Sequence, residues 1–142
     1  MRLSRATDIG LRILMVSATR DDRLTVDELA ESLAVPRHHL AKVVQRLQRL
    51  GLLDTVRGRA GGVRLAPAAL AASVGRVVRD LEGDAEVVDC DGEPGCPLSG
   101  GCRLRGALRR AQEAFYAALD PITVGDLAAP PARQILLSLG RR

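Results

Sequence analysis

The chain has no tryptophan, and Phe115 and Tyr116 are its only aromatic side chains. Its core must be built from Leu, Val, Ile and Ala, a palette that favours packed helices over aromatic-rich sheets. No apolar run is long enough to span a bilayer. The opening residues, Met1-Arg2-Leu3-Ser4-Arg5, run into mixed polar sequence without the apolar centre of a secretion signal, so a cytoplasmic location is expected. Histidine is confined to His38 and His39. Neither a nucleophile–base pairing nor a glycine fingerprint of a nucleotide site is apparent, and no enzyme is expected. No internal repeat is evident. At 142 residues the length fits one domain, or a domain with an arm.

Charge is unevenly spread. Residues 1–66 hold twelve basic and seven acidic side chains, a net of +5, against nine and ten in the remainder. The N-terminal half is the anion-binding half, and nucleic acid is the natural partner. Its pattern agrees. Leu3 to Thr19 reads as a helix capped by Ser4, with Ile9, Ile13 and Val16 on one stripe. Asp8 and Arg12 share a face, four residues apart. Thr25-Val26-Asp27-Glu28 is a capping box that starts a second helix. Pro36 opens a third, running to about Leu50.

Two short helices joined by a tight turn, the second basic, make a helix-turn-helix. The second offers Arg37, His38, His39, Lys42, Gln45 and Arg46 to a major groove. Gly51 ends it. Two short strands around Gly58-Arg59-Ala60-Gly61-Gly62 then form a hairpin, a wing carrying Arg57, Arg59 and Arg64. Pro67 to Leu81 reads as one connecting helix with Leu70, Val74, Val77, Val78 and Leu81 buried. Arg103 to Leu119 is the last long helix. Its seam of Leu104, Leu108, Ala111, Phe115 and Ala118 has coiled-coil spacing and is expected to pair two subunits. The fold class expected is mainly α with a small β-hairpin: a winged helix-turn-helix plus a long dimerisation helix.

Cysteine is scarce as well, and it is concentrated. Cys90, Cys96 and Cys102 all lie between Asp89 and Arg105, with five residues in each gap. The gaps are filled by Gly92, Pro94, Gly95, Pro97, Gly100 and Gly101, which make a loop rather than a core. An odd count in a chain without an export signal argues against a disulfide framework. Three thiolates on a flexible loop suggest a metal. Zinc commonly takes four ligands, often in C-x-x-C pairs, and no such pair occurs here. Iron–sulfur clusters accept a non-cysteine ligand in place of one thiolate.

With the wing R-G-R-A-G-G-V-R-L-A at Arg57 to Ala66, an acidic linker, C-x5-C-x5-C and a long helix in this order, the chain resembles the IscR/NsrR family of bacterial winged-helix iron–sulfur regulators. In the IscR type a histidine three residues after the last cysteine completes a [2Fe-2S] site. Arg105 stands there in this sequence, and no histidine follows His39. The resemblance therefore leans to the NsrR type. It implies a homodimeric repressor that binds DNA while a [4Fe-4S] cluster is intact and releases it when nitric oxide nitrosylates the cluster. It also implies Cys90, Cys96 and Cys102 as ligands, Asp8 from the partner subunit as the fourth, and Arg12 orienting Asp8. The alternatives are a [2Fe-2S] redox or cluster-status regulator and, from another class, a zinc-stabilised or apo winged-helix module for protein contacts. The domain reading is 1–66 DNA-binding, 67–82 connecting helix, 83–102 cluster loop, 103–127 dimerisation helix and 128–142 C-terminal tail.

Overall fold

The computed structural model describes residues 1–58 and 61–139. It is helical apart from one hairpin: α1 (Arg5–Ser17), α2 (Val26–Leu33), α3 (Arg37–Arg49), β1 (Leu53–Val56), β2 (Gly62–Leu65), a 3-10 helix (Pro67–Ala71), α4 (Val74–Glu82), α5 (Arg103–Leu119), α6 (Val124–Leu127) and α7 (Ala132–Ser138). The helix starts follow from local chemistry. Ser4 Oγ accepts the Thr7 amide at 3.2 Å and so caps α1. Thr25 and Glu28 cap α2 reciprocally, as the capping-box pattern requires. Each such cap satisfies amides that the helix itself leaves unpaired.

The main core gathers around α1. Ile13, Leu14 and Val16 are fully buried there, with Leu29 of α2 and Leu40 and Leu47 of α3. Each such leucine contributes about 1.5–3 kcal/mol on burial. The wing strands are antiparallel, Leu53 opposite Leu65 and Val56 opposite Gly62. Leu24, before α2, bridges to Val63, and this ties the wing to the helix-turn-helix.

One expectation is corrected: residues 67–82 do not form a single helix. The 3-10 helix ends at Ala71, Ala72 and Ser73 are extended, and α4 begins afresh with Ser73 as its cap. The reason is tertiary. Val124 donates its amide to the Ala72 carbonyl at 3.0 Å, and Val74 donates to Ile122 at 2.8 Å. The backbone there pairs with the chain before α6 instead of with its own previous turn. Leu70, expected inside, is exposed as a result.

A second, smaller cluster of Val74, Val78 and Tyr116 joins α4 to α5. At Gly75 a β-carbon would collide with the Asp120 carboxylate and the Tyr116 carbonyl, so glycine permits the close approach of these helices. Tyr116 is the one buried residue of α5. Most of its remaining surface is open, including Leu104 at 62% exposure. Beyond α6 the chain folds back, and Leu136 of α7 enters the main core beside α1. Among the described residues no helix is long and apolar enough to cross a membrane.

Candidate nucleic-acid interface and metal centre

The amphipathic third helix settles which of its side chains reach solvent. Leu40, Val43, Val44 and Leu47 are buried, which turns Arg37, His38, His39, Lys42, Gln45 and Arg46 outward. The rings of His38 and His39 lie 4.1 Å apart between centroids. Basic neighbours hold the His39 imidazole below its usual range: His38 first, then partial burial, then Arg5 and Lys42. Arg5 at the start of α1 thus joins the positive surface of α3. Two of these six α3 residues also bond within the protein. Arg37 Nε pairs with Asp27 at 2.6 Å, and Arg46 Nη2 donates to the Asp80 carbonyl at 2.9 Å. On the wing, Arg57 is exposed and Arg64 faces Asp54 across the strands at 3.6 Å. Arg59 lies outside the described residues.

The three thiols sit on the connection between α4 and α5. Gly83, with φ of 68°, ends α4 and turns the chain away. Cys90 is buried, whereas Cys96 and Cys102 are half-buried, and all three are free. The Cys96 amide donates to the Cys90 carbonyl at 3.0 Å, and Cys102 is the cap residue of α5. Burial pushes the Cys90 thiol up, the Arg105 charge pulls it down, and Cys96 and Cys102 push it up again. The Cys90 sulfur is thus within electrostatic reach of Cys96 and of Cys102.

Among the described residues, no three His, Cys, Asp or Glu side chains converge as they would around a single metal ion. An iron–sulfur cluster spreads its protein ligands over several irons, so its sulfurs need not meet at one point. The donor set of three soft thiols on a Gly- and Pro-rich loop fits such a group. Asp8, on α1, is half-exposed and accepts Arg12 Nε at 2.9 Å. It makes no single-ion site with the thiols of its own chain.

Two arrangements escaped the sequence reading. Arg105 forks between Glu86 and Asp91: Nε and Nη2 reach the two Glu86 oxygens at 2.8 and 3.2 Å, and Nη1 and Nη2 reach Asp91. The surplus of acids before the cysteines was its only signal. The other lies at the end of α4, where Glu82 Oε1 accepts the Ser4 amide at 2.8 Å and the Asp80 carbonyl accepts Arg46. That end is gripped by both α1 and α3.

The family model of Rrf2, described as an iron-dependent transcriptional regulator, matches residues 3–130. Over 145 aligned residues the chain is 54% identical to the HTH-type transcriptional repressor NsrR of Streptomyces coelicolor, covering 100% of this chain and 98% of that protein. It is 38% identical over 131 residues to the HTH-type transcriptional regulator NsrR of Geobacillus kaustophilus, covering 89% of each. Among solved structures, CymR, the global cysteine regulator of B. subtilis, superposes with a TM-score of 0.68 at 27% identity, covering 90% of this chain and 96% of that one. T. potens IscR superposes equally well, with a TM-score of 0.68 over 89% of this chain and 85% of that one, and at 21% identity it speaks for the fold. The chain belongs to the Rrf2 family of iron-dependent transcriptional regulators, DNA-binding winged-helix proteins and not enzymes.

Proposed function

We propose that this protein is a nitric-oxide-sensing repressor that binds DNA as a homodimer while an iron–sulfur cluster is intact. The observation that carries the reading is where the thiol loop is spliced in. It runs from the end of α4, held by Ser4 of α1 and Arg46 of α3, to the exposed seam of α5. A change in the loop therefore bears at once on the DNA-reading helix and on the helix offered to a second copy. Full-length likeness to a repressor named NsrR supports the same reading.

Cys90, Cys96 and Cys102 would hold the cluster, which supplies iron that nitric oxide can bind. Asp8 of the partner subunit would complete the ligand set, oriented by Arg12. A carboxylate matches iron less well than thiolate does, so Asp8 would be the weakest of the four ligands. Its release would free α1 and, through Ser4 and Glu82, the end of α4 that braces Arg46. Arg57 and Arg64 of the wing, with His38, His39, Lys42 and Gln45, would meet the DNA.

The test is anaerobic purification of wild type and Asp8→Ala, with iron, sulfide and absorbance measured and operator binding followed before and after nitric oxide. The expected result is about four irons per chain, a spectrum altered by Asp8→Ala, and DNA release on nitrosylation. Zinc alone, or binding indifferent to nitric oxide, would overturn the reading.

A further inference from the structure

We infer that Arg105 is a positioning residue of the thiol loop: its guanidinium clamps the segment around Cys90 onto the first turn of α5, and so sets Cys90 against Cys102 before any cluster arrives. The inference rests on the cluster reading for its purpose, but its geometry stands in the chain alone. Glu86 and Asp91 bracket Cys90, four residues before it and one after. Arg105 follows Cys102 by three. One planar fork therefore spans the first and third thiols, with Nε, Nη1 and Nη2 all engaged.

The setting separates this pair from an ordinary surface ion pair. Arg105 and Glu86 side chains are only 23% and 20% exposed, and Arg109 adds a second cation on Glu86 at 3.2 Å. Fork-shaped bidentate pairing fixes direction as well as distance, which a lysine ammonium cannot reproduce. The clamp also shortens the problem of the loop. Between Gly83 and Cys102 the chain has no helix or strand of its own, an uncommon length of irregular chain inside a compact domain. Tying Glu86 and Asp91 to α5 leaves a small lobe rich in glycine and proline that carries Cys96 alone. Two thiols are preset by the clamp, and the middle one follows through the bond of its amide to the Cys90 carbonyl.

The experiment uses Arg105→Gln, Arg105→Lys and, from the other side of the pair, Glu86→Gln. In the apo protein, hydrogen exchange at the Cys96 amide reports the loop, because that amide is held by the Cys90 carbonyl. Exchange is expected to speed up in Arg105→Gln and Glu86→Gln, with Arg105→Lys between them and wild type. Protection of the α1 and α3 amides is expected to stay unchanged, which separates a loosened loop from a misfolded chain. In cluster-loaded protein, loss of iron to a chelator is expected to quicken by about tenfold in Arg105→Gln, again partly restored by lysine. Unchanged exchange at Cys96 in both Arg105→Gln and Glu86→Gln overturns the clamp. Faster exchange in a chain that never takes up iron upholds the clamp and removes the cluster reading instead.

Discussion

Leu104 offers the sharpest test of how two copies meet. It opens the α5 seam and is 62% exposed, so its replacement leaves the packing within one chain nearly untouched. Full burial of a leucine stabilises by about 1.5–3 kcal/mol, and the exposed share of Leu104 leaves about 1–2 kcal/mol to be gained at an interface. Leu104→Ser keeps only the β-carbon, which lowers the loss to about 1–1.5 kcal/mol per copy. A two-fold interface contains the change twice, so the dimer loses about 2–3 kcal/mol. At about 1.4 kcal/mol per decade this weakens association by roughly 30- to 150-fold. Sedimentation equilibrium over a dilution series measures it directly. Leu70→Ser is the control, since Leu70 is 46% exposed and lies on the 3-10 helix, outside both α5 and the thiol loop. An unchanged dimer constant in Leu104→Ser, or an equal loss in Leu70→Ser, would refute the seam.

The joint between α4 and α5 makes a different prediction. Gly75→Ala pushes a methyl against the Asp120 carboxylate and against the Tyr116 carbonyl and Asp120 amide, backbone that cannot move aside, and overpacking of this kind costs about 1–3 kcal/mol. A fall in the thermal midpoint of roughly 3–10 °C is expected. Gly10→Ala, whose new methyl crowds the tip of Leu81 and makes ordinary contact with Val43 and Leu47, should cost less. Acid sensitivity follows from the ion pairs. Arg105 holds the Glu86 carboxyl below its usual range, and Arg79 does the same for Asp120. Groups depressed in the folded state bind protons more weakly there than in the unfolded chain. Their contribution is therefore complete above the unfolded value and is lost as pH falls through the folded one. The apo protein should melt at a nearly constant temperature from pH 8 to 5, then at falling temperatures below about pH 4.5. Asp120→Asn should flatten part of that acid limb, and an acid limb identical to wild type in that variant would contradict the assignment.

Wherever residues within a few positions of one another decide the structure, the sequence was legible. The box at Thr25 and Glu28, the cap at Ser4 and the full extent of α5 from Arg103 to Leu119 all follow from local pattern. The hairpin follows too, because its register needs only alternation and a glycine turn. What stayed hidden depends on distant partners. Nothing near Ala72 announces that its carbonyl belongs to Val124, so the connecting helix read as unbroken and Leu70 as buried. Leu136 gave no sign that it would join the core beside α1, because one apolar turn after Pro130-Pro131 has too few positions to show a face.

The same distinction governs the site. Three cysteines at even spacing stand within one stretch, and they suggest metal chemistry before any folding is considered. Arg46 looked like one more cation on a DNA-reading face, since its place on α3 is shared with Lys42 and Gln45. Its bond to the Asp80 carbonyl appears only when the end of α4 is brought beside α3. That bond makes the residue a brace between α3 and the end of α4. Because α4 leads through Gly83 straight into the thiol loop, this brace is where the proposed coupling between the loop and the DNA-reading helix would run.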